Sequence, residues 1–226
     1  MVFFCIHLIT CFLLLSDPSS SSITFSLPSI TPQNQNRDIV IQGTEATISD
    51  DGIQLTRNMA GLDKTPSAGR ATYIRPLNLT ELASFSTNFT FVIDSNGSTP
   101  YGYGLTFFLA DNNSVISEGG AMGLPFIEPP NKATSRFVAV EFDTSNDYWD
   151  PIVGRGDPLG DHVAIYVSSV SSQKSQKWLN NVAGGAVCQD WVRCQDGLFH
   201  TFDVKTVLPE SVIFGFSAAT PDAFEI

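Results

Sequence analysis

The dominant hydrophobic period along this chain is two residues, which rules out most helical architectures. In "SFSTNFTFVI", Phe85, Phe89, Phe91 and Ile93 fall on one face, with Ser84, Ser86, Asn88 and Thr90 on the other. "IVIQGTEATISDDGIQLT" reads as short strands broken at Gly43 and at the Asp50-Asp51-Gly52 turn. "YGLTFFLA" and "SVIFGFSAAT" are apolar almost throughout, as central strands are. No stretch has the pattern of an amphipathic helix, an internal repeat or an interdomain linker. The composition fits: 17 Phe, 17 Gly and 13 Pro among 226 residues, with only 15% charged, suits many short strands and turns. The expected fold is a single all-β domain, an antiparallel β-sandwich.

A formal charge of −11 argues against nucleic acid or an anionic membrane surface as partner. The N-terminus, "MVFFCIHLITCFLLLSDPSSSSITF", is apolar from Val2 to Leu15 and then Ser-rich. That run is too short to span a bilayer and suits a secretory signal peptide over residues 1–22. Residues 23–226 are then the mature domain, with no membrane span and an extracellular destination. Four sequons, at Asn78, Asn88, Asn96 and Asn112, fit an exported glycoprotein. Cys188 and Cys194 remain after signal removal and either pair or stay as thiols; their spacing is not that of a zinc site.

The chemistry concentrates in "VAVEFDTSNDYWDP", where Glu141, Asp143, Asp147 and Asp150 lie within ten residues. Strand alternation puts Val138, Val140 and Phe142 on a buried face, and Ala139, Glu141 and Asp143 on the opposite one. In the following "HVAIYV", Val163, Ile165 and Val167 form the apolar face, leaving His162, Ala164 and Tyr166 on the other. If the two strands pair as a hairpin, His162 falls on the carboxylate side. Oxygen-rich ligands suit Ca²⁺, and an added imidazole suits Mn²⁺ or another transition ion. Two ions sharing Asp143 and Asp150 would neutralise the carboxylates; a solvated acidic turn with an unrelated His is the competing reading.

The chain resembles the legume-type (L-type) lectin domain, a concanavalin A-like jelly roll, over most of Ile23 to Ile226. The stretches that carry the resemblance are "GRATYIRPLNL", "SFSTNFTFVI", "GLTFFLA", "GGAMGLPF", "VAVEFDT…DP…HVAIYVSS" and "LPESVIFGFSAAT". The resemblance implies a non-enzymatic binder of glycans or glycoproteins that holds Mn²⁺ and Ca²⁺ beside a shallow sugar site and pairs as a homodimer through its back sheet. It implies Glu141, Asp143, Asp150 and His162 as Mn²⁺ ligands, with Ser172 reaching that ion through water. Asp143 and Asp150 would also hold Ca²⁺, with an Asn from the loop, and Gly120 would offer its N–H to the sugar.

Several positions depart from the family pattern. Tyr103 stands where an Asp should accept from sugar hydroxyls, and a phenol cannot replace that carboxylate in length or charge. The Asn that serves both Ca²⁺ and sugar is expected at 147, where Asp147 stands, with Asn146 one residue early. Ser145 occupies the place of a sugar-stacking aromatic, for which Tyr148 or Trp149 could substitute. Between Trp178 and Leu198 the chain is short of back-sheet strands, and it stops at "AFEI" where the family continues, so the domain reads as truncated. About six extra residues separate Asp150 from His162, and the "RGD" at Arg155 to Asp157 in them reads as a chance match. Two other function classes follow. One is a degenerate lectin-like defence, storage or decoy protein without sugar binding. The other is a sandwich-fold glycoside hydrolase, whose Glu-x-Asp-x-Glu pattern would need a Glu where Ser145 stands.

Overall fold

The computed structural model describes residues 24–43, 45–57, 66–79, 86–93, 102–127, 132–153, 157–158, 160–177, 198 and 200–220. The signal segment, Asn96, Cys188, Cys194, the short stretch at 178–197 and the terminal "AFEI" lie outside the described residues. The strands are β1 (Ile39–Gln42), β2 (Thr47–Ser49), β3 (Gly52–Gln54), β4 (Ser67–Tyr73), β5 (Leu77–Asn78), β6 (Gly104–Asp111) and β7 (Phe126–Ile127). They continue as β8 (Lys132–Ala133), β9 (Phe137–Asp143), β10 (Ile152–Val153), β11 (Asp157–Pro158), β12 (His162–Val167), β13 (Lys174–Lys177) and β14 (Ser211–Thr220). The one α-helix among the described residues is α1, Val204–Val207. The protein is an all-β antiparallel sandwich, as the two-residue period requires.

Eight strands form one sheet in the order β1-β4-β14-β6-β9-β12-β13, with β5 also paired to β14. Every pairing in it is antiparallel, so each neighbour is reached without a helical crossover. The apolar runs take its middle: β6 lies between β14 and β9 and is buried over all but its last residue. Its alternation feeds two cores. Phe107 and Leu109 point to one face, with Leu77, Leu79, Leu208 and Val212; Phe89 and Phe216 pack against that cluster. Phe108 and Ala110 point to the other, with Phe137, Ala139, Ala164 and Tyr166.

The layer over the first face includes residues 86–93, which alternate as expected, with Ser86, Asn88, Thr90 and Val92 exposed and Phe89, Phe91 and Ile93 half-buried. Phe89 lies 4.7 Å from Phe216 and 5.7 Å from Phe107 between ring centres, and Phe91 lies 4.8 Å from Phe142. The second face is where the structure departs from the sequence reading of β9. Ala139, Glu141 and Asp143 are wholly buried, whereas Val138 and Val140 are only half-buried. The segment 119–127 covers this face, its Ala121, Leu124 and Phe126 packing in one buried cluster with Ala139 and Ala164. The carboxylates are therefore roofed rather than presented to solvent.

The extra residues between Asp150 and His162 include a small ribbon, β10 paired with β11. Of the "RGD" stretch, Asp157 belongs to β11, and Arg155 and Gly156 lie outside the described residues.

Candidate functional site

The site begins as a register fact. β9 and β12 pair antiparallel with His162 opposite Asp143 and Ala164 opposite Glu141. Side chains two apart on a strand share a face, so Glu141, Asp143 and His162 converge at one end of the hairpin. All three are completely buried. On the other side of β9, Gly104 pairs with Asp143, and it must be glycine: φ is +129°, and a Cβ there would collide with the Phe142 carbonyl oxygen.

The loop after β9 is folded by its own polar groups. The Ser145 N–H donates to Asp143 Oδ1 at 2.5 Å, and Thr144 Oγ1 donates to the Gly102 carbonyl at 2.7 Å. The Asp147 N–H donates to Asp150 Oδ2 at 2.5 Å, and the Asp150 N–H returns a bond to the Asp147 carbonyl at 3.0 Å. This reciprocal pair turns Asp147 inward beside Asp150 and leaves Asn146 exposed. Trp149 packs against the buried cluster, while Tyr148 beside it, at 4.4 Å between ring centres, is 74% exposed.

Two groups of ligand atoms result, each within 4.8 Å of one another: Glu141, Asp143 and His162, and Asp143, Asp147 and Asp150. Asp143 belongs to both. Both Glu141 oxygens, Asp143 Oδ2, Asp150 Oδ1 and His162 Nε2 are buried without a hydrogen-bond partner. So many orphaned acceptors in one place are costly unless a cation or protons satisfy them. His162 Nδ1 lies 2.8 Å from the Gly160 carbonyl oxygen. A carbonyl only accepts, so Nδ1 carries the hydrogen and Nε2 is left as the ligating nitrogen, 3.7 Å from Glu141 Oε2.

The electrostatics tell the same story. Burial first, then the neighbouring Asp143, pushes the Glu141 carboxyl well above its ordinary range. Burial and then Asp150 push Asp143 up to about 8, and burial raises Asp150 as well. The Tyr166 phenol, buried and facing Glu141, is raised well above its usual value. Carboxylates that resist ionisation in a closed pocket are what a divalent cation would neutralise. The donor sets fit: carboxylates with one imidazole for a transition ion, and carboxylates alone for a hard ion such as Ca²⁺.

The remaining sequence-predicted residues divide. Gly120 is buried in a 3₁₀ turn, Gly119–Ala121, directly against this loop. A Cβ on it would lie 2.6 Å from the Trp149 ring and 2.8 Å from Asp147 Oδ2. Tyr103 is half-buried, and its main chain bonds to Ala219 and Thr144, which places it at the edge of the same loop. Ser172 is half-buried between β12 and β13. Asn78, Asn88 and Asn112 are exposed and lie away from the acidic loop in sequence. Two residues of this face were given no role from the sequence: Tyr166, placed there by alternation and facing Glu141, and Arg70, buried beneath the segment carrying Gly120.

A legume lectin domain family model matches residues 22–197. Seed agglutinin 2 of Robinia pseudoacacia is 34% identical, covering 89% of this chain and 75% of that protein. Agglutinin-2 of Cladrastis kentukea is also 34% identical, covering 94% and 81%. Among solved structures, basic winged bean lectin with Tn-antigen superposes with a TM-score of 0.61 at 29% identity, covering 82% of this chain and 84% of the other. Lectin UEA-II complexed with galactose gives 0.59 at 27%, covering 84% and 88%. With the family model spanning most of the chain and relatives 34% identical over most of both lengths, this protein belongs to the legume lectin family.

Proposed function

We propose that this protein is a secreted, metal-dependent, non-enzymatic carbohydrate-binding lectin whose sugar contact is altered at position 103. The carrying observation is the buried, shared cluster of carboxylates and imidazole set against Gly120. Glu141, Asp143, Asp150 and His162 would hold Mn²⁺, and Asp143, Asp147 and Asp150 would hold Ca²⁺. The ions supply positive charge that lets the carboxylates stay ionised at neutral pH. The chain's own residues do the rest. The Asp147–Asp150 bonds fix the loop, Asp147 and Trp149 abut Gly120, and Tyr148 offers an exposed aromatic face of the kind that suits sugar C–H surfaces. Relatives support the class of ligand: one solved lectin carries Tn-antigen and another galactose.

Hydrolysis is disfavoured by burial. Glu141 and Asp143 have no exposed surface, so they cannot flank a glycosidic bond as nucleophile and acid. The degenerate reading is favoured by one observation, Tyr103 in place of a carboxylate, and it forecasts a protein that binds metal but no glycan. A glycan array of the secreted, full-length product with and without EDTA tests the proposal. Metal-dependent binding supports it. Binding untouched by chelation overturns the metal dependence, and no binding in either condition overturns the lectin reading.

A further inference from the structure

Arg70 sits in β4 with no exposed surface, and no carboxylate among the described residues pairs with it. Its acceptors belong to one segment. Nε donates to the Gly123 carbonyl at 2.5 Å, Nη1 to the Ser114 carbonyl and hydroxyl at 3.2 and 3.1 Å, and Nη2 to the Val115 carbonyl at 3.0 Å. The guanidinium also lies 5.0 Å from the centre of the Phe108 ring. Burial lowers its pKa to about 10, which leaves it charged at neutral pH.

The positions of these acceptors matter more than their number. Ser114 and Val115 enter the loop and Gly123 leaves it, so a single side chain ties both stems. Between them lies the turn that sets Gly120 against Asp147 and Trp149. Ala121, Met122 and Leu124 anchor the loop's depth by apolar burial, but apolar contacts are non-directional. The guanidinium is a rigid planar fork, and it supplies direction. Arg70 also shares a cross-strand row with the metal cluster: it pairs with Ser217, Ser217 with Thr106, and Thr106 with Glu141. All four are completely buried, and Thr106 and Ser217 are hydrogen-bonded at 2.7 Å. Three strand spacings separate Arg70 from Glu141, about 14 Å, so Arg70 cannot touch the ions.

We propose that Arg70 is a positioning residue for ligand binding: its guanidinium staples the two stems of the loop from Ser114 to Gly123 and so holds Gly120 in register against the Asp147 loop. The ligand part of this statement rests on the carbohydrate-binding reading; the loop part does not. The test compares full-length protein with R70K, which keeps the charge on a slightly shorter stem but loses the fork, and with S114A, which removes a single acceptor; all three carry N112Q, because Ser114 also completes the sequon at Asn112. Three readouts are taken: amide hydrogen exchange, Mn²⁺ affinity and galactose affinity.

In R70K the amides of Met122 and Leu124 should exchange about tenfold faster or more, and galactose should bind about tenfold more weakly or worse. Amides of β6 and β9, and Mn²⁺ affinity, should stay at wild-type values, and S114A should move the same readouts by less. Unchanged loop exchange in R70K overturns the proposal. So does a loss of Mn²⁺ affinity and sheet protection in proportion to the loop, since that marks a general structural role. A wild type that binds no galactose counts against the carbohydrate reading for that sugar, and the exchange comparison then decides the staple by itself.

Discussion

Replacing Asp143 with Asn should flatten the pH dependence of the chelated protein's stability and abolish its stabilisation by cations. Asp143 is fully buried, and its pKa stands at about 8 against an ordinary 3.8, raised by burial first and by Asp150 second. A carboxyl raised in the folded state contributes stability that is fully present below the unfolded pKa and is lost as pH rises through the folded pKa. The window therefore runs from about pH 4 to about pH 8. Within it the folded chain keeps a proton the unfolded chain has released. Stability then falls by about 1.4 kcal/mol per pH unit for this one group, or roughly 3 kcal/mol between about pH 5 and about pH 7.

Glu141 is raised in the same direction and partly by Asp143 itself, so it steepens the fall. Asn at 143 carries no charge, which removes both the Asp143 contribution and its push on Glu141. Urea unfolding in excess EDTA, followed by tryptophan fluorescence across this range, reads the effect as a falling midpoint in wild type and a flatter one in the variant. Saturating Ca²⁺ and Mn²⁺ should raise the wild-type midpoint most at the alkaline end, because cation binding displaces those protons. Asp143→Asn should gain little from either ion. A chelated wild type that becomes more stable from about pH 5 to about pH 7, or a variant that tracks it, refutes the reasoning.

Other perturbations probe separate parts of the site. His162→Gln should weaken Mn²⁺ by about tenfold or more while leaving the fold intact, as read by metal analysis after dialysis. Gly120→Ala should abolish glycan binding with a small change in unfolding temperature, because the added methyl meets Trp149 and Asp147 rather than the sheet. Tyr103→Asp should strengthen glycan binding by about tenfold, the worth of one charge-assisted hydrogen bond over a neutral one; a flat affinity would show that the site is lost at more than this position. Phe108→Ala, under Arg70 and fully buried, should cost about 3–5 kcal/mol in urea unfolding.

Strand alternation carried the architecture and the hairpin. Once β9 and β12 are recognised, the side-chain period of two places Glu141, Asp143 and His162 together, and the observed opposition of His162 and Asp143 follows. What the alternation could not convey is which face is roofed. Ala121 and Leu124, which pack with Ala139 on the carboxylate face of β9, are remote in sequence, so the carboxylates looked presented when they are enclosed. The choice between Asn146 and Asp147 was equally hidden, because it goes with the Asp147 N–H donating to the Asp150 carboxylate and the Asp150 N–H donating to the Asp147 carbonyl, a fold of the loop that the identity of residues 146 and 147 does not announce. Arg70 reads in sequence as one charged residue in a strand. Its partners are almost all main-chain carbonyls, which leave no signature, although an arginine amid the small residues of "SAGRAT" is itself a hint.

The central claim is that cations in the Asp143-sharing cluster set the loop that holds a glycan. Titrating Ca²⁺ and Mn²⁺ into chelated protein, while recording cation occupancy and glycan binding in the same sample, tests it most directly. Glycan binding should be absent at the start and should rise in step with filling of the second of two cation sites. Glycan binding that is present before either ion is added, or that stays absent with both sites full, would contradict it.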